Sequence, residues 1–189
     1  MEKTAVQKLA GALKVLVTIT LVCNLVALLL VPGMSLMKGP EELLALTPYE
    51  NPLEVPLRVG IAFVLSWGWV WTAGVYEVVL ALFLLFCGIC TAVILWQGRR
   101  VLGTILQGAP FRAENGVSLR RAAVCCFLIA AAALARVVWG LFYYGSVAPL
   151  LTYNALFVPI FILGGLLCLV MSALFRQAAE LKAENDLTI

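Results

Sequence analysis

The stretch VYEVVLALFLLFCGICTAVILWQ, residues 75–97, decides the fold, because it contains a single charged side chain, Glu77. A helix needs about 20 consecutive apolar residues to cross the hydrocarbon layer of a membrane. The whole chain of 189 residues has the same character, since 63% of it is hydrophobic and only 12% is charged. Its mean hydropathy is +1.05, and a soluble domain carries about 25% charged residues. The sequence therefore predicts an integral membrane protein, with the quoted stretch as one of its spans.

Three further segments have the length and composition of a membrane span. They are residues 15–31, which Pro32 and Gly33 are expected to end, residues 122–144 and residues 155–174, and together they carry one charged side chain, Arg136. The first of them follows basic residues but has no small-residue cleavage site behind it, so we expect an uncleaved anchor. The predicted fold is all-α: an integral membrane protein built as a bundle of four transmembrane helices, in one domain over residues 1–189.

The distribution of Lys and Arg predicts the orientation of the spans. Membrane proteins keep an excess of basic residues on the cytoplasmic side. With the N-terminus inside, only Lys38 and Arg58 lie outside, and the cytoplasmic side receives Lys3, Lys8, Lys14, Arg99, Arg100, Arg112, Arg120, Arg121, Arg176 and Lys182. We therefore expect both termini in the cytoplasm, with an outer cap at residues 33–74, a cytoplasmic loop at 98–121 and a cytoplasmic tail at 175–189.

The last part of the outer cap has an alternating pattern. In PLRVGIAFVLSWGWVWTAG, residues 56–74, every second residue from Leu57 to Trp71 is large and apolar, and those between are mostly small or polar. A period of two is typical of a β-strand. An open strand cannot cross lipid, because its backbone groups would lack partners there. The pattern thus predicts β-structure in the cap, at the membrane surface, and a short interfacial helix is the alternative.

Two charged side chains lie within predicted spans. By the helical rise of about 1.5 Å per residue, both Glu77 and Arg136 fall near the outer boundary of the membrane. We expect an intramembrane ion pair between them, or two side chains that reach to the headgroups. A polar site that opens outward is the alternative.

The remaining residue types offer little chemistry. All six cysteines lie within spans, and Cys87 and Cys90 form a C-x-x-C pair like that of four-helix membrane thiol oxidoreductases. The pair falls near mid-bilayer, and the outer segments contain no cysteine to relay electrons, so we expect packing residues. The chain has no histidine, the commonest general base and metal ligand. We expect no catalytic, cofactor-binding or metal site.

Small residues predict how two of the spans pack. Gly164, Cys168 and Ser172 recur at every fourth position of the last span, and Ala131 and Ala135 have the same spacing in the third. In lipid, small faces let helix backbones approach closely. We expect these stripes to join the third and fourth spans.

Two polar stretches outside the spans carry a resemblance to a known family. The central loop reads GAPFRAENGVSLRR, residues 108–121, and the chain ends in AAELKAENDLTI, residues 178–189. With these motifs, the chain from about Val75 to its C-terminus resembles the bacterial domain-of-unknown-function 2975 family. The matching positions are Gly108, Pro110, Phe111, Glu114, Asn115, Leu119, Arg120, Leu181, Lys182, Glu184, Asn185, Asp186 and Leu187.

The resemblance implies a four-span membrane protein with no established activity and with no catalytic residues to transfer. Many such proteins are encoded beside a small helix-turn-helix regulator. We therefore expect a non-enzymatic protein of the cell membrane whose cytoplasmic loop and tail contact a partner, either a transcription regulator of that kind or another membrane protein, without direct nucleic-acid binding. The alternatives are a small-molecule transport or membrane-stress component and, third, a thiol oxidoreductase. The expected interaction surface comprises Pro110, Phe111, Glu114, Asn115, Arg120, Lys182, Glu184, Asn185, Asp186 and Leu187.

The C-terminal tail is expected to fold back onto the loop. The side chains of Asn185 and Asp186 compete for backbone hydrogen bonds, which predicts that the last helix stops there. Leu187 and Ile189 would then pack at the corner around Phe111.

Overall fold

The computed structural model describes residues 5–36 and 55–187, and every regular element in these two ranges is helical. The elements are α1 (Ala5–Leu36), α2 (Val55–Trp69), a 3₁₀ turn (Val70–Thr72), α3 (Val75–Leu106), α4 (Ala113–Tyr144), a second 3₁₀ turn (Ala148–Leu151) and α5 (Tyr153–Leu187). Four of these helices, α1, α3, α4 and α5, are long and apolar enough to cross a membrane. For the part of the chain that the structure describes, this confirms the predicted all-α class and the prediction of four helices long and apolar enough to span a membrane.

The helices bury small side chains and expose large ones. Ala123, Ala130 and Ala133 of α4 are buried, whereas Leu163 and Leu167 of α5 are largely exposed. In lipid, helices associate through close packing of small residues, and large apolar side chains can face the acyl chains. This distribution of side chains indicates a membrane protein, in agreement with the composition.

The predicted β-structure of the outer cap is wrong for the part of the cap that the structure describes. Residues 55–69 form α2, and residues 70–72 continue as a 3₁₀ turn. A lone strand leaves its backbone N–H and C=O groups without partners, whereas a helix pairs them within itself. That requirement outweighs an alternating side-chain pattern, so the helical alternative is the one that forms. Residues 37–54 of the cap lie outside the described residues.

The first long helix does not stop where the sequence predicted. α1 continues through Pro32 to Leu36, so the expected stop at Pro32 and Gly33 is wrong. A proline inside a transmembrane helix is tolerated when nearby groups satisfy the backbone that it disturbs. Close to the end of the helix, the Ser35 hydroxyl donates a hydrogen bond to the carbonyl oxygen of Pro32 itself at 2.9 Å, and both residues are buried.

The chain divides into two compact units, and residues 25–88 form one of them. Its core consists of Val31, Val70 and Ala81, with Leu84 and Leu85 packed against it. The indole N–H of Trp67 donates to the carbonyl oxygen of Leu29 at 3.0 Å. This bond ties the end of α2 to the last turns of α1.

The other unit comprises residues 1–24 and 89–189, and an α4–α5 hairpin lies at its centre. Gly145 ends α4 in the left-handed conformation, with φ at 58°, and its N–H donates to the Leu141 carbonyl oxygen at 3.0 Å. One turn earlier, a Cβ added to Gly140 would lie 3.2 Å from Cγ of Pro149 in the second 3₁₀ turn. The two glycines therefore allow a short, closely packed connection between the helices.

Small residues line the α4–α5 seam, as predicted, but in a different register. Cys168 and Ser172 of the predicted stripe do contact α4. The glycine at the seam is Gly165, where an added Cβ would meet the Phe127 ring at 2.8 Å, whereas an added Cβ at Gly164 meets nothing within 4 Å.

On the α4 side, the predicted seam residues Ala131 and Ala135 are exposed, so that prediction is wrong. The buried positions of α4 include Ala123, Ala130 and Val137, which are seven residues apart. A seven-residue repeat keeps one face of a helix toward its neighbour along the whole contact, whereas a strict spacing of four drifts off that face.

Candidate functional site at the α3–α4 corner

The loop motif begins by ending α3. Gly108 has a φ of 73°, and its N–H donates to the Ile105 carbonyl oxygen at 3.1 Å, while the next N–H, of Ala109, reaches back to Thr104 O at 3.1 Å. This pair of bonds is the Schellman motif, which satisfies the last carbonyl groups of a helix and favours glycine at the left-handed position. Pro110 comes two residues after Gly108. Proline is common at such a position because it cannot continue the helix.

Asn115 closes the corner from the other side. It lies in the first turn of α4 and is only 2% exposed. Its Nδ2 donates to the Pro110 carbonyl oxygen at 2.6 Å and to Thr104 Oγ1 at 2.7 Å. The Thr104 hydroxyl in turn donates to Val101 O at 2.7 Å. One buried amide thus connects the end of α3, the turn and the start of α4.

The third helix at this site is α5. The buried Ser172 hydroxyl donates to the Gly116 carbonyl oxygen at 2.7 Å. A Cβ added to Gly116 would lie 2.7 Å from Arg176 Cγ and 3.1 Å from the backbone oxygen of Ser172. The absence of a side chain at Gly116 therefore lets the backbone of α5 approach the first turn of α4.

An aromatic contact completes what we call the corner, residues 104–116 together with 172–176. The rings of Phe111 and Phe175 have centroids 6.4 Å apart and planes tilted by 41°. Such aromatic pairs contribute about 0.5–1.5 kcal/mol beyond the area that they bury. α5 is thus joined to the loop by one hydrogen bond, one close backbone approach and one ring pair.

The predicted interaction surface falls into two groups. Pro110, Phe111 and Asn115 hold the corner together, and Asn115 is interior, so it cannot be part of a contact surface. The exposed members are Phe111, at 52%, together with Glu114, Arg120, Lys182, Glu184 and Asn185. The side chains of Asp186 and Leu187 lie outside the described residues.

The tail does not leave the helix where the sequence predicted. α5 runs to Leu187, so the expected stop at Asn185 and Asp186 is wrong. The penalty for Asn or Asp in a helix is only about 0.7 kcal/mol or less, and a helix that is already formed extends at little cost. Leu187 comes twelve positions after Phe175, which is about 18 Å further along the axis. The predicted docking of the Leu187 and Ile189 side chains near Phe111 lies outside the described residues.

Glu77 and Arg136, the residues of the predicted ion pair, belong to different compact units, and each has neighbours within its own unit. Arg136 Nη1 donates to Asn154 Oδ1 at 3.3 Å, which connects α4 with α5. Glu77 lies in the first turn of α3, where an acidic side chain is stabilised by the helix dipole. Its Oε2 is 2.5 Å from the place that a Cβ of Gly74 would occupy, so the glycine leaves room for the carboxylate. The pair between Glu77 and Arg136 stays a prediction.

The cysteines connect neighbouring helices. The Cys90 thiol lies beside that of Cys125 in α4, and the Cys126 thiol beside that of Cys168 in α5. None of the six forms a disulfide. Free cysteine behaves as a small packing residue, as these contacts between helices require. Among the residues that the structure describes, no cluster of His, Cys, Asp and Glu could hold a metal ion.

Sequence reasoning missed two partners at the corner, Thr104 and Gly116. Gly116 had a signal, because a glycine in the first turn of a long helix costs about 1 kcal/mol relative to alanine and calls for a packing reason. No sequence signal marked Thr104, because its hydrogen bond to Asn115 depends on how the turn between the two residues closes.

The part of the chain that the structure describes is helical, has four helices long and apolar enough to cross a membrane, and fastens α3 to α4 through a buried amide. The chain belongs to the family described as Protein of unknown function (DUF2975), which matches residues 46–189. The match includes α2, so it covers more of the chain than the resemblance from Val75 onward. No curated protein and no solved structure matches the chain.

Proposed function

We propose that this protein is a non-enzymatic, multi-pass protein of the cell membrane that binds a cytoplasmic partner through the end of α5. The partner that fits the family resemblance is a small helix-turn-helix transcription regulator. The corner serves as the base of this contact, with the exposed Glu114 in it and the exposed Arg120 further along α4.

One observation carries the proposal: α5 stays helical beyond the corner although its described side chains from residue 180 to residue 185 are exposed on every face. α5 contains 35 residues, and at about 1.5 Å per residue it is about 52 Å long, against about 30 Å for the hydrocarbon core of a bilayer. The helix therefore extends well into water on the side of the corner.

The exposed helix end has the surface of a binding element. Leu174 and Leu181 are 52% and 62% exposed, and they lie seven residues apart on one face. Both leucines are open in the structure. Arg176, Glu180 and Lys182 flank them. An apolar ridge bordered by charges matches the way in which an amphipathic helix occupies a groove of its partner.

The test is site-specific photocrosslinking in native membranes. A photoreactive residue is placed at Leu181 of the full chain, and the control carries it at Leu167, which is 65% exposed within the apolar part of α5. We expect a discrete adduct with a soluble regulator from position 181 and only lipid adducts from position 167. Lipid adducts alone at both positions, or an adduct with a second copy of the chain at 181, contradict the proposal.

A further inference from the structure

A basic groove runs between α1 and α3, on the cytoplasmic half of the unit that contains both segments. One part of it has a volume of about 250 Å³ and is lined by Lys14, Trp96, Arg99, Arg100 and Gly103. A second part of about 330 Å³ shares Lys14 and Arg99 and continues along Val15 and Ile19. The shared residues make the two parts one continuous groove.

The three cations of the groove have no acidic counterpart in its lining. Among the described residues, no salt bridge involves Lys14, Arg99 or Arg100. Like charges held this close repel one another, so an anion placed between them is stabilised by all three.

Local geometry holds two of the cations in place. A Cβ added to Gly103 would be in ordinary contact with Lys14 Nζ, at 3.5 Å, so the ammonium group lies close to the backbone of α3. The guanidinium carbon of Arg99 is 5.7 Å from the centroid of the Trp96 ring, within the range of a cation–π interaction. Lys14 and Arg99 are thus positioned before a ligand binds, and the positive charge of Arg99 lies beside the Trp96 ring.

The apolar continuation of the groove identifies the kind of anion. Val15 and Ile19 are 62% and 55% exposed on the face of α1 that leads away from the cations. The apolar stretch of α3 ends at Gln97, which places the cations at the membrane boundary. A ligand with phosphate at one end and acyl chains at the other matches this change from charged to apolar.

We propose that this groove binds the phosphate group of an anionic phospholipid, with Lys14, Arg99 and Arg100 around the headgroup and an acyl chain along Val15 and Ile19. The inference rests on the membrane location in the proposed function. Basic pockets between transmembrane helices bind anionic headgroups in this way. These basic residues, which the sequence analysis treated only as topology signals, therefore form a lipid site.

The proposal is tested with the purified full chain by native mass spectrometry in detergent. Phosphatidylglycerol, phosphatidylcholine and inorganic phosphate are added separately. The variant R99Q/R100Q is compared with R112Q/R121Q, which removes the same charge at the start of α4, outside the groove. We expect phosphatidylglycerol to bind the parent and the R112Q/R121Q control, and to bind R99Q/R100Q about 10- to 30-fold more weakly, since each basic group near an anionic lipid contributes about a factor of five.

A second variant separates shape from charge. Gly103→Leu keeps the net charge and fills the space beside Lys14, so it should also weaken phosphatidylglycerol binding, with helix content by circular dichroism unchanged. Equal loss in both double variants, equal binding of phosphatidylcholine, or binding of inorganic phosphate as strong as that of the lipid overturns the inference. Because these measurements do not involve the end of α5, their failure leaves the crosslinking result at position 181 standing, and the reverse is also true.

Discussion

At the scale of single residues, Asn115 shows how one polar side chain can determine the geometry of a whole connection. The buried amide of Asn115 makes two hydrogen bonds within 2.7 Å. A turn conformation that broke them would leave a buried polar group without a partner, which costs about 1–3 kcal/mol. The turn therefore adopts the one conformation in which Pro110 and Thr104 both accept from it.

Replacing Asn115 by Ala should destabilise the protein by about 1–3 kcal/mol, because the carbonyl oxygen of Pro110 and the hydroxyl of Thr104 lose their donor in the interior. For a chain of this size the loss corresponds to about 2–4 °C in Tm for each kcal/mol. Thermal unfolding in detergent, followed by circular dichroism, measures it. Glu114→Ala, next to it and exposed, is the control and should leave Tm unchanged. Equal effects of the two substitutions would show that Asn115 does not fasten the corner.

The residue scale also shows where sequence analysis succeeds and fails. The motif around Gly108 and Asn115 was recognised as significant, but its residues were assigned to a contact surface. No sequence rule states whether an exposed-looking Asn in a loop motif faces water or the turn behind it. The two hydrogen bonds that decide the question are made to a carbonyl and a hydroxyl whose positions only the closed turn provides.

At the scale of elements, the α4–α5 seam depends on which small residues face the neighbouring helix. The stretch from residue 130 to residue 135 contains five alanines, so small residues point in every direction from α4. Spacing alone could not choose the buried face, and the predicted Ala131 and Ala135 lie on the wrong one. Cys168 and Ser172 were placed correctly because large residues surround them on α5.

Two adjacent glycines of α5 provide a matched test of this register. Gly165→Ala should destabilise the protein by about 1–3 kcal/mol through overpacking, because the new Cβ would meet the Phe127 ring at 2.8 Å. Gly164→Ala adds a methyl group where nothing lies within 4 Å, and it should be neutral or stabilise by up to about 1 kcal/mol through helix propensity. Thermal unfolding of the two variants decides the register, and a larger loss at position 164 would reverse our assignment.

The α2 segment shows the second limit at the element scale. Its alternating pattern is real, but a strand needs a neighbouring strand, and that requirement cannot be read from a pattern of 19 residues in one segment. A helix satisfies its backbone hydrogen bonds within itself. For an apolar segment, this favours the helix over the strand.

At the scale of the whole molecule, composition was sufficient for the class of protein and for the number of long apolar helices. Composition did not predict where those helices begin and end, because an apolar run marks the part of a helix that lies in lipid and says little about its polar ends. α5 demonstrates this, since the expected span of residues 155–174 is the apolar part of a helix that reaches Leu187.

The orientation predicted from the basic residues is tested by labelling. Single cysteines are placed at residues 3, 50, 114 and 185, in a background without the six native cysteines, and intact cells are treated with an impermeant thiol reagent. We expect labelling at position 50 only, because Lys and Arg are retained on the cytoplasmic side. Position 114 is preferable to the buried position 115, whose thiol would be unreactive for a different reason. Labelling at position 114 or 185 without labelling at position 50 would show that the predicted orientation is wrong.

The corner has a further consequence for the order in which the molecule is assembled during synthesis. Both side-chain hydrogen bonds of Asn115 go to residues that precede it in the chain, so the connection between α3 and α4 can close as soon as the first turn of α4 has left the ribosome. Ser172, which attaches α5 to the same place, follows Gly116 by 56 positions, and at about 5–20 residues per second it arrives about 3–11 seconds later. For that interval the α3–α4 pair must wait in the membrane with one face of small side chains open to the lipid, and the fastened turn keeps the two helices together until their third neighbour is made.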